Sequence, residues 1–355
     1  MAESQPGRIL LVRLGALGDI VHAIPVAAAL RRAFRSARID WLVSAKHREI
    51  LDLVPIIDRR LVINDRVGAT GGTSLIQAIG ELRRAHYDVA IDLQGLLKSA
   101  VLARASGAPR VIGFASSYVR ERLARLLYTD AYDPGSTGVH DSSGTRHIID
   151  INLGLLAPLG LTMATAEFPI EHVDSEAART VLERSGGRYA LLNPGAAWPN
   201  KRWPAARFGV VARTLRETHG LTSAVLWGPR EESLADEVVA ASNGAAVLAP
   251  KTTIADLVAL ARGAALMVSG DTGPTHIAAA VGTPLVSLFG PTRPERNGPW
   301  SREDIAVSRD AICRCHHLRR CRLPTMCLLD IQVDEVMVAI QRRLGAESGR
   351  MNGHA

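Results

Sequence analysis

The stretch RILLVRLGALGDIVHAIPVAAALRRAFRSARIDWLV, residues 8–43, sets the pattern of the fold. It begins with a short apolar run, Arg8–Leu14, which ends at Gly15 and is typical of a buried strand. Asp19 then opens a predicted helix that extends to Phe34, because an acidic side chain can cap the free N–H groups of a first turn. A second apolar run, Ile39–Val43, predicts the next strand. Strands joined by helices of this length pair in parallel through right-handed crossovers.

The same alternation continues along the chain. The further predicted strands are Leu61–Ile63, Val89–Leu93, Val111–Gly113, Tyr189–Leu192, Ser223–Trp227, Ala246–Leu248, Leu266–Val268 and Leu285–Leu288. A glycine-rich loop is predicted at Gly68–Ser74, and the alternation is interrupted at a predicted linker, Gly160–Pro169. We therefore predict an α/β fold of two doubly wound Rossmann-like domains that face a cleft, residues 1–165 and 170–330, followed by a C-terminal helix at 333–345.

The charge of the chain limits the class of partner. A formal net charge of +7 favours anionic partners, either phosphorylated substrates or an acidic membrane surface. The arginines are spread along the chain and no nucleic-acid-binding motif occurs, so we expect no nucleic acid partner. The apolar stretch Ile20–Leu30 contains His22 and Pro25 and is far shorter than the ~20 residues of a membrane-spanning helix. We expect a cytoplasmic protein, and peripheral contact with the inner membrane stays open.

The loop after the first predicted strand, LGALGD at residues 14–19, carries the first candidate catalytic residue. Its glycines let the backbone approach a ligand, and Asp19 lies at the helix start. Asp19 either caps the helix or acts as a general base. The loop lacks the G-x-G-x-x-G spacing of a dinucleotide site, and the chain contains no G-x-x-x-x-G-K-[ST] phosphate-binding loop.

Two loops of the second half favour phosphate chemistry. SGDTGPTH at residues 269–276 places glycines and hydroxyl side chains at a helix start, where N–H groups and the helix dipole bind anions such as a diphosphate. A tight turn with an aspartate cap is the alternative. NPGAAWPNKRWP at residues 193–204 contains Lys201, which either neutralises a leaving group or is a solvated surface residue.

All four cysteines lie close together in the sequence, at Cys313, Cys315, Cys321 and Cys327. Clustered thiols, with His316 and His317 beside them, predict a structural zinc or iron ion. Their spacing is not that of a standard finger, and a reduced loop without metal is the alternative.

Five motifs occur in order along the chain. They are R-x-G-x-x-G-D at Arg13–Asp19, D-x-Q-G-L-x-K-S at Asp92–Ser99, the Lys201 loop that ends at Pro204, W-G-P-x-E-E at Trp227–Glu232, and D-T-G-P-x-H at Asp271–His276. Together they resemble the motifs of the ADP-heptose:lipopolysaccharide heptosyltransferases. This resemblance implies a GT-B fold and an inverting reaction that requires no cofactor, with the acceptor bound by the first domain and ADP-heptose by the second.

The resemblance also implies residue roles. Asp19 would be the catalytic base, and Lys201 would hold the departing diphosphate. The residues implied in donor binding are Glu231, Thr252, Asp271, Thr272, Gly273 and His276. Asp271 would orient the sugar or the loop, and Glu232 is an alternative to Glu231 at the ribose. The residues implied in acceptor binding are Lys98, Arg120 and His147.

The resulting hypothesis is transfer of heptose from ADP-heptose to a Kdo-containing precursor of the lipopolysaccharide inner core. Two departures from the family pattern are Ile151, where an arginine is often found, and the pair Ala196 and Ala197, where hydroxyl residues are often found. Ile151 and the cysteine cluster, which resembles a cysteine finger of heptosyltransferases that modify protein, support an alternative acceptor, a serine on a polypeptide. A further alternative is a non-enzymatic module that binds a nucleotide or a metal.

Overall fold

The computed structural model describes residues 5–64, 74–119, 121–135, 146–316, 318–321 and 324–351. The chain divides into two compact units, Met1–Glu171 and His172–Ala355. Arg120, His317 and most of the predicted loop Gly68–Ser74 lie outside the described residues.

The first unit is built on a parallel sheet, which has six strands in the described part of the chain. They are β1 (Arg8–Val12), β2 (Arg38–Ser44), β3 (Arg59–Ile63), β4 (Val89–Asp92), β5 (Arg110–Phe114) and β6 (Asp130–Tyr132). The strand order is β3-β2-β1-β4-β5-β6. The chain therefore winds outward in both directions from the pair β1 and β4, the doubly wound arrangement predicted from the sequence.

Helices connect these strands. They are α1 (Leu17–Val21), α2 (Ile24–Ala33), α3 (Glu49–Asp52), α4 (Leu75–Arg84), α5 (Leu97–Ala105) and α6 (Ile148–Gly154). Short 3₁₀ helices lie at Ala45–His47, Arg122–Leu127 and Ala157–Leu159. The predicted linker is tied to this unit, because Arg32 pairs with Glu167 and the Glu171 N–H donates to the carbonyl of Leu53.

The second unit repeats the architecture of the first. Its strands are β7 (Tyr189–Asn193), β8 (Thr222–Val225), β9 (Ala246–Leu248), β10 (Leu266–Gly270), β11 (Leu285–Phe289) and β12 (Ile305–Ser308). All neighbours pair in parallel, in the order β12-β11-β10-β7-β8-β9. Counted from β7, this is the same winding as in the first sheet, with β7 and β10 at the point of reversal.

The helices of the second unit cover both faces of its sheet. They are α7 (Glu176–Arg184), α8 (Ala205–His219), α9 (Glu232–Ala241), α10 (Ile254–Gly263), α11 (Gly273–Ala280), α12 (Pro294–Asn297) and α13 (Val333–Met351). Short 3₁₀ helices lie at Pro199–Lys201, Asp310–Ile312 and Cys327–Asp330. The predicted C-terminal helix is α13, whose Val336 and Ile340 are fully buried in the core of this unit with Trp203 and Phe208.

The structure confirms the predicted strands, divides one predicted helix into two and adds two strands that were not predicted. The single helix predicted from Asp19 to Phe34 is two helices, α1 and α2, which is explained by Pro25, because a proline lacks an N–H donor and is tolerated in a first turn. Strands β6 and β12 were not predicted. Both are edge strands without a fully buried residue; β6 contains no apolar run, whereas β12 contains the short apolar run Ile305–Val307.

Candidate active site

The sequence motifs follow the strands at which each sheet reverses its order. In the first unit, Arg13–Asp19 follows β1 and the segment ending at Ser99 follows β4. In the second unit, the Lys201 loop follows β7 and Asp271–His276 follows β10. Ligands of doubly wound sheets bind at the carboxyl ends of the strands, in the crevice at this reversal. Each unit therefore brings two motif loops together at its ligand-binding edge.

Asp19 is held in the first loop by a cation and a backbone amide. Arg13 Nη2 lies 2.6 Å from Asp19 Oδ2, and the Ala16 N–H donates to the same oxygen at 3.1 Å. The Asp19 side chain nevertheless remains 43% exposed. Helix α1 begins at Leu17, with Ala16 as its N-cap residue, so the helix starts two residues before the predicted start at Asp19. The carboxylate contributes to the helix start and is also accessible to a ligand, so the cap and the base are compatible roles.

The loop after β4 supports the loop after β1. Arg13 Nη1 donates to the Leu93 carbonyl at 2.5 Å, and the Leu14 N–H donates to Gln94 Oε1 at 2.9 Å. These bonds join residues that are 80 positions apart in the sequence. The guanidinium of Arg13 is therefore fixed between a carbonyl of one loop and the Asp19 carboxylate of the other.

The fully buried carboxylate of Asp92 organises the β4 loop. It accepts hydrogen bonds from Tyr128 Oη at 2.7 Å, Ser99 Oγ at 2.8 Å and the Gln94 N–H at 2.9 Å. Burial raises the pKa of Asp92 above its ordinary value, although these hydrogen bonds oppose the increase. Asp92 thus fixes Gln94, which in turn holds the loop of Asp19.

The residues predicted to bind the acceptor have different surroundings. Lys98 is exposed in the first turn of α5, next to the β4 loop. His147 caps α6, since its Nδ1 accepts the Ile149 N–H at 3.2 Å, and its ring meets that of buried His22 edge-on at 5.9 Å. Ile151 is 1% exposed. It is a core residue of α6, so its replacement of an arginine gives no direct information about the acceptor. Arg120 lies outside the described residues.

A buried ion pair joins the two motif loops of the second unit. Lys201 Nζ lies 2.5 Å from Asp271 Oδ2, which also accepts a hydrogen bond from Thr292 Oγ1 at 2.7 Å. The other oxygen, Oδ1, lies 3.1 Å from His276 Nε2. Burial alone would raise the pKa of Asp271, but the hydrogen bond to His276 and the charge of Lys201 outweigh it and hold that pKa well below its usual range. Lys201 is therefore paired, and the prediction of a merely solvated lysine is wrong.

The start of α11 is a network of hydroxyl groups. Thr272 is the N-cap residue and Gly273 the first helical residue. Thr272 Oγ1 accepts a hydrogen bond from Asn193 Nδ2 at 3.0 Å and lies 2.9 Å from Thr275 Oγ1. Gly270 is required where the two loops touch, because a Cβ there would lie 2.9 Å from the Lys201 carbonyl oxygen.

Glu231 lies at the end of the loop after β8 and contacts the loop after β7. Its Oε1 is 3.3 Å from Arg202 Nη2, and its Oε2 accepts the Gly228 N–H at 3.2 Å. A Cβ at Gly195 would collide with this carboxylate, so glycine permits the close approach. Glu232, the alternative donor residue, is exposed as the first residue of α9. Thr252 is half-buried in the neighbouring loop between β9 and α10.

Comparison with known proteins identifies the family that carries this arrangement. The model of glycosyltransferase family 9 (heptosyltransferase) matches residues 75–326. Lipopolysaccharide heptosyltransferase 1 of Pseudomonas aeruginosa is 32% identical over 316 residues, which cover 86% of this chain and 85% of that protein. The chain belongs to glycosyltransferase family 9.

Solved structures confirm the fold of this family 9 chain. The glycosyl transferase family 9 protein of Veillonella parvula has a TM-score of 0.76 and 24% identity, with coverage of 95% of this chain and 97% of that chain. E. coli heptosyltransferase WaaC with ADP-2-deoxy-2-fluoro heptose has a TM-score of 0.70 and 23% identity, with coverage of 94% and 99%. The chain therefore has the GT-B type fold that the motifs predicted, and it is a glycosyltransferase.

No helix within the described residues combines the length and the apolar character needed to cross a membrane.

Within the described residues, the structure gives no support for the metal ion predicted at the cysteines of this glycosyltransferase. Cys315 Sγ lies 3.1 Å from Cys321 Sγ, and the Cys315 N–H donates to Cys313 Sγ at 3.3 Å. The described residues contain no group of three or more His, Cys, Asp or Glu side chains arranged to hold a metal ion. Burial, with a hydrogen bond to Cys313, raises the pKa of Cys327 to about 12.

The cysteine segment instead packs against the loops of the active site. Asn200, the buried neighbour of Lys201, donates through Nδ2 to the Leu318 carbonyl at 2.9 Å. His316 Nδ1 lies 3.2 Å from the carbonyl of Pro291, which precedes Thr292. The segment is distant from these loops in sequence but supports both partners of the Lys201–Asp271 pair.

Arg13, Gln94 and Thr292 are among the residues of these loops that received no role from the sequence. Arg13 and Gln94 lie inside the quoted motifs, so their position in a motif was the available signal. Thr292 lies in no motif. Its position directly after the buried run β11 is the general signal that could have indicated it, since β11 neighbours β10 in the sheet.

Proposed function

We propose that the enzyme transfers heptose from ADP-heptose to a Kdo-containing acceptor of the lipopolysaccharide inner core, with inversion at the anomeric carbon. The family and the name of the Pseudomonas relative support the heptose and the acceptor class, and the ligand of WaaC supports the ADP-linked donor. The observation that carries the mechanism is the Asp19 carboxylate, which Arg13 orients and which stays accessible.

On the acceptor side, Asp19 removes the proton from the attacking hydroxyl group. The hydroxyl oxygen forms a bond to the anomeric carbon while the bond to the β-phosphate oxygen of ADP breaks on the opposite face. ADP leaves with the bonding electron pair, and the configuration inverts. A positioned general base contributes about 10²- to 10⁴-fold to such a step.

On the donor side, Lys201 and the start of α11 balance the charge that develops on ADP. An ammonium group has three N–H donors, of which one is used by Asp271, so the others can donate to phosphate oxygens. The side chain is 14% exposed and lies over the Trp198 ring, with Nζ 4.6 Å from its centroid. The N–H groups of Gly273 and Thr275 add a backbone anion site at a helix N-terminus. This charge balance requires no cofactor.

The remaining contacts complete the proposal. Glu231 binds the ribose hydroxyls, and Thr252 lies beside the adenine. Asp271 orients Lys201 and His276, and Thr272 positions the α11 start. Lys98 and His147 bind the anionic acceptor, as does Arg120, which lies outside the described residues; the lipid anchor of the acceptor brings the enzyme into peripheral contact with the inner membrane.

Heptose transfer with two kinds of acceptor tests the proposal. Wild type and Asp19→Asn are incubated with ADP-heptose and either Kdo₂-lipid A or a serine-containing polypeptide. We expect transfer to the lipid by wild type and a loss of about 10²-fold or more in kcat for the variant, with unchanged ADP affinity. Full activity of Asp19→Asn would exclude Asp19 as the catalytic base. Transfer to the polypeptide alone would exclude the lipid as the acceptor.

A further inference from the structure

Apolar side chains project into solvent from two neighbouring elements of the first unit. Leu97 and Val101 on α5 are 38% and 45% exposed. Leu123 and Leu126 on the 3₁₀ helix Arg122–Leu127 are 62% and 77% exposed. Single exposed leucines are common, but adjacent apolar side chains mark an interaction surface. We name these four residues the apolar patch.

Helix geometry places the patch on one surface. Leu97 and Val101 are four residues apart on an α-helix and so share a face. Leu123 and Leu126 are three residues apart on a 3₁₀ helix, where such side chains eclipse each other. The two elements pack together, and the Leu97 N–H donates to Glu121 Oε2 at 2.6 Å. Ala124, on the opposite side of the 3₁₀ helix, is fully buried.

Basic residues surround the patch. Residues 97–105 and 121–127 contain the cations Lys98, Arg104, Arg122 and Arg125 against one acid, Glu121. The Glu121 carboxylate is already engaged by the Leu97 amide. Apolar side chains inside a basic border match the interface of an anionic bilayer, where leucines enter the acyl boundary and cations contact phosphate head groups. The same border disfavours a second copy of this chain, because two such patches would repel each other.

We propose that the apolar patch docks the enzyme on an anionic lipid bilayer. This inference rests on the proposed function in one respect, namely that the acceptor is anchored in a membrane. Helix α5 follows β4 directly, so the patch begins beside the loop that supports Asp19. Docking through this patch would hold the ligand-binding edge of the first unit at the level of the lipid head groups.

Vesicle co-sedimentation tests the docking surface. The probes are vesicles of phosphatidylethanolamine with phosphatidylglycerol and vesicles of neutral phosphatidylcholine. The test variant is Leu123→Ser/Leu126→Ser. The matched control is Ile76→Ser/Met163→Ser, which removes two apolar side chains of the same unit that are 84% and 93% exposed elsewhere. Arg122→Gln tests the basic border separately.

We expect the test variant to bind anionic vesicles about tenfold more weakly than wild type, while the control binds normally. Arg122→Gln and added salt should each weaken binding to anionic vesicles and not to neutral ones. Equal binding by wild type and the test variant, or equal losses in test and control variants, would overturn the proposal. So would a wild-type oligomer that the two serines dissociate, since the patch would then bind a second copy.

A separate readout keeps this inference distinct from the transfer reaction. In detergent-dispersed acceptor, the test variant should retain the wild-type rate of transfer, because it leaves the proposed reacting residues intact. If wild type transfers no heptose but binds vesicles through the leucines, the docking surface is confirmed and the proposed function is wrong. If transfer occurs while vesicle binding is independent of the patch, the docking surface is excluded.

Discussion

Lys201 and Asp271 form an ion pair, 2.5 Å from Nζ to Oδ2, that joins two loops 70 residues apart in sequence. The pair lies at the reversal of the second sheet, where a ligand of a doubly wound domain binds. It is partly structural, because removing one partner leaves an unpaired charge in a buried place. It is partly available for chemistry, because the ammonium group retains donors for a phosphate. Variants of either residue must therefore be measured for folding as well as for transfer.

The first prediction concerns the coupling of this pair. Lys201→Met and Asp271→Asn should each lower the free energy of unfolding by about 3 kcal/mol, because each removes one partner of a buried pair. The double variant should lose less than the sum of the single variants, because it leaves neither charge unpaired. Urea unfolding of all four proteins measures this coupling. Additive losses would show that the two charges do not stabilise each other.

The second prediction concerns acid stability. The pKa of Asp271 is lower in the folded chain than the value of about 3.9 for an unfolded aspartate. The unfolded chain therefore takes up this proton first as the pH falls, so the contribution of Asp271 is complete above about pH 5 and declines progressively as the pH falls below about 4, towards the lower pKa of the folded chain. Urea unfolding between about pH 7 and pH 3.5 should show the gap between wild type and Asp271→Asn narrowing in the acid range. A gap that widens on acidification would contradict the assigned direction.

The third prediction concerns Arg13 as a positioning residue. Arg13→Lys keeps the charge but cannot bridge the Leu93 carbonyl and the Asp19 carboxylate as a guanidinium does. We expect kcat to fall about tenfold or more, with little change in the KM for ADP-heptose, since the loops that we propose to bind the donor belong to the other unit. Steady-state kinetics separates the two effects, and thermal melting controls for folding. A change confined to KM would place Arg13 in substrate binding.

The fourth prediction separates the two neighbouring glutamates. Glu231→Gln should weaken ADP binding by about tenfold, because it removes the charge of the carboxylate that we propose accepts hydrogen bonds from the ribose hydroxyls. Glu232→Gln is the matched control, since the same chemical change is made at an exposed residue one position away. Calorimetric titration with ADP measures both variants. If Glu232→Gln weakens ADP binding and Glu231→Gln does not, Glu232 and not Glu231 binds the ribose.

Much of this fold could be predicted because buried parallel strands leave continuous apolar runs in the sequence. Strand β9 was predicted with its observed bounds. The edge strand β6 was missed because exposure allows polar residues and removes the apolar run. Strand β12 was also missed, although Ile305–Val307 is an apolar run as long as that of β9. The glycine-rich loops could be placed at strand ends for the same reason, since their residues follow the apolar runs directly.

The pairings within the candidate site could not be predicted. The bonds of Arg13 to Asp19 and of Lys201 to Asp271 depend on which strands become neighbours, and strand order is not encoded in any single segment. His147 shows a second reason, because a side chain that caps a helix and one that binds a ligand look alike in a sequence. The cysteines show a third reason, since closeness in sequence predicts a metal site, yet the described part of the chain contains no group of side chains arranged to hold a metal ion.

The last prediction concerns the reactivity of the cysteines. With a pKa of about 12, Cys327 is ionised in about one molecule in ten thousand at pH 8, so alkylation there should be slow. Peptide mapping after timed treatment with iodoacetamide measures the rate, and Cys327→Ser identifies the slow site. The same peptide in urea gives the rate of an ordinary thiol. Labelling of folded Cys327 at that ordinary rate would contradict the raised pKa. If a chelator abolishes the slow alkylation of Cys327, a bound metal ion is the cause of the slow reaction. That result would confirm the metal site predicted from the sequence.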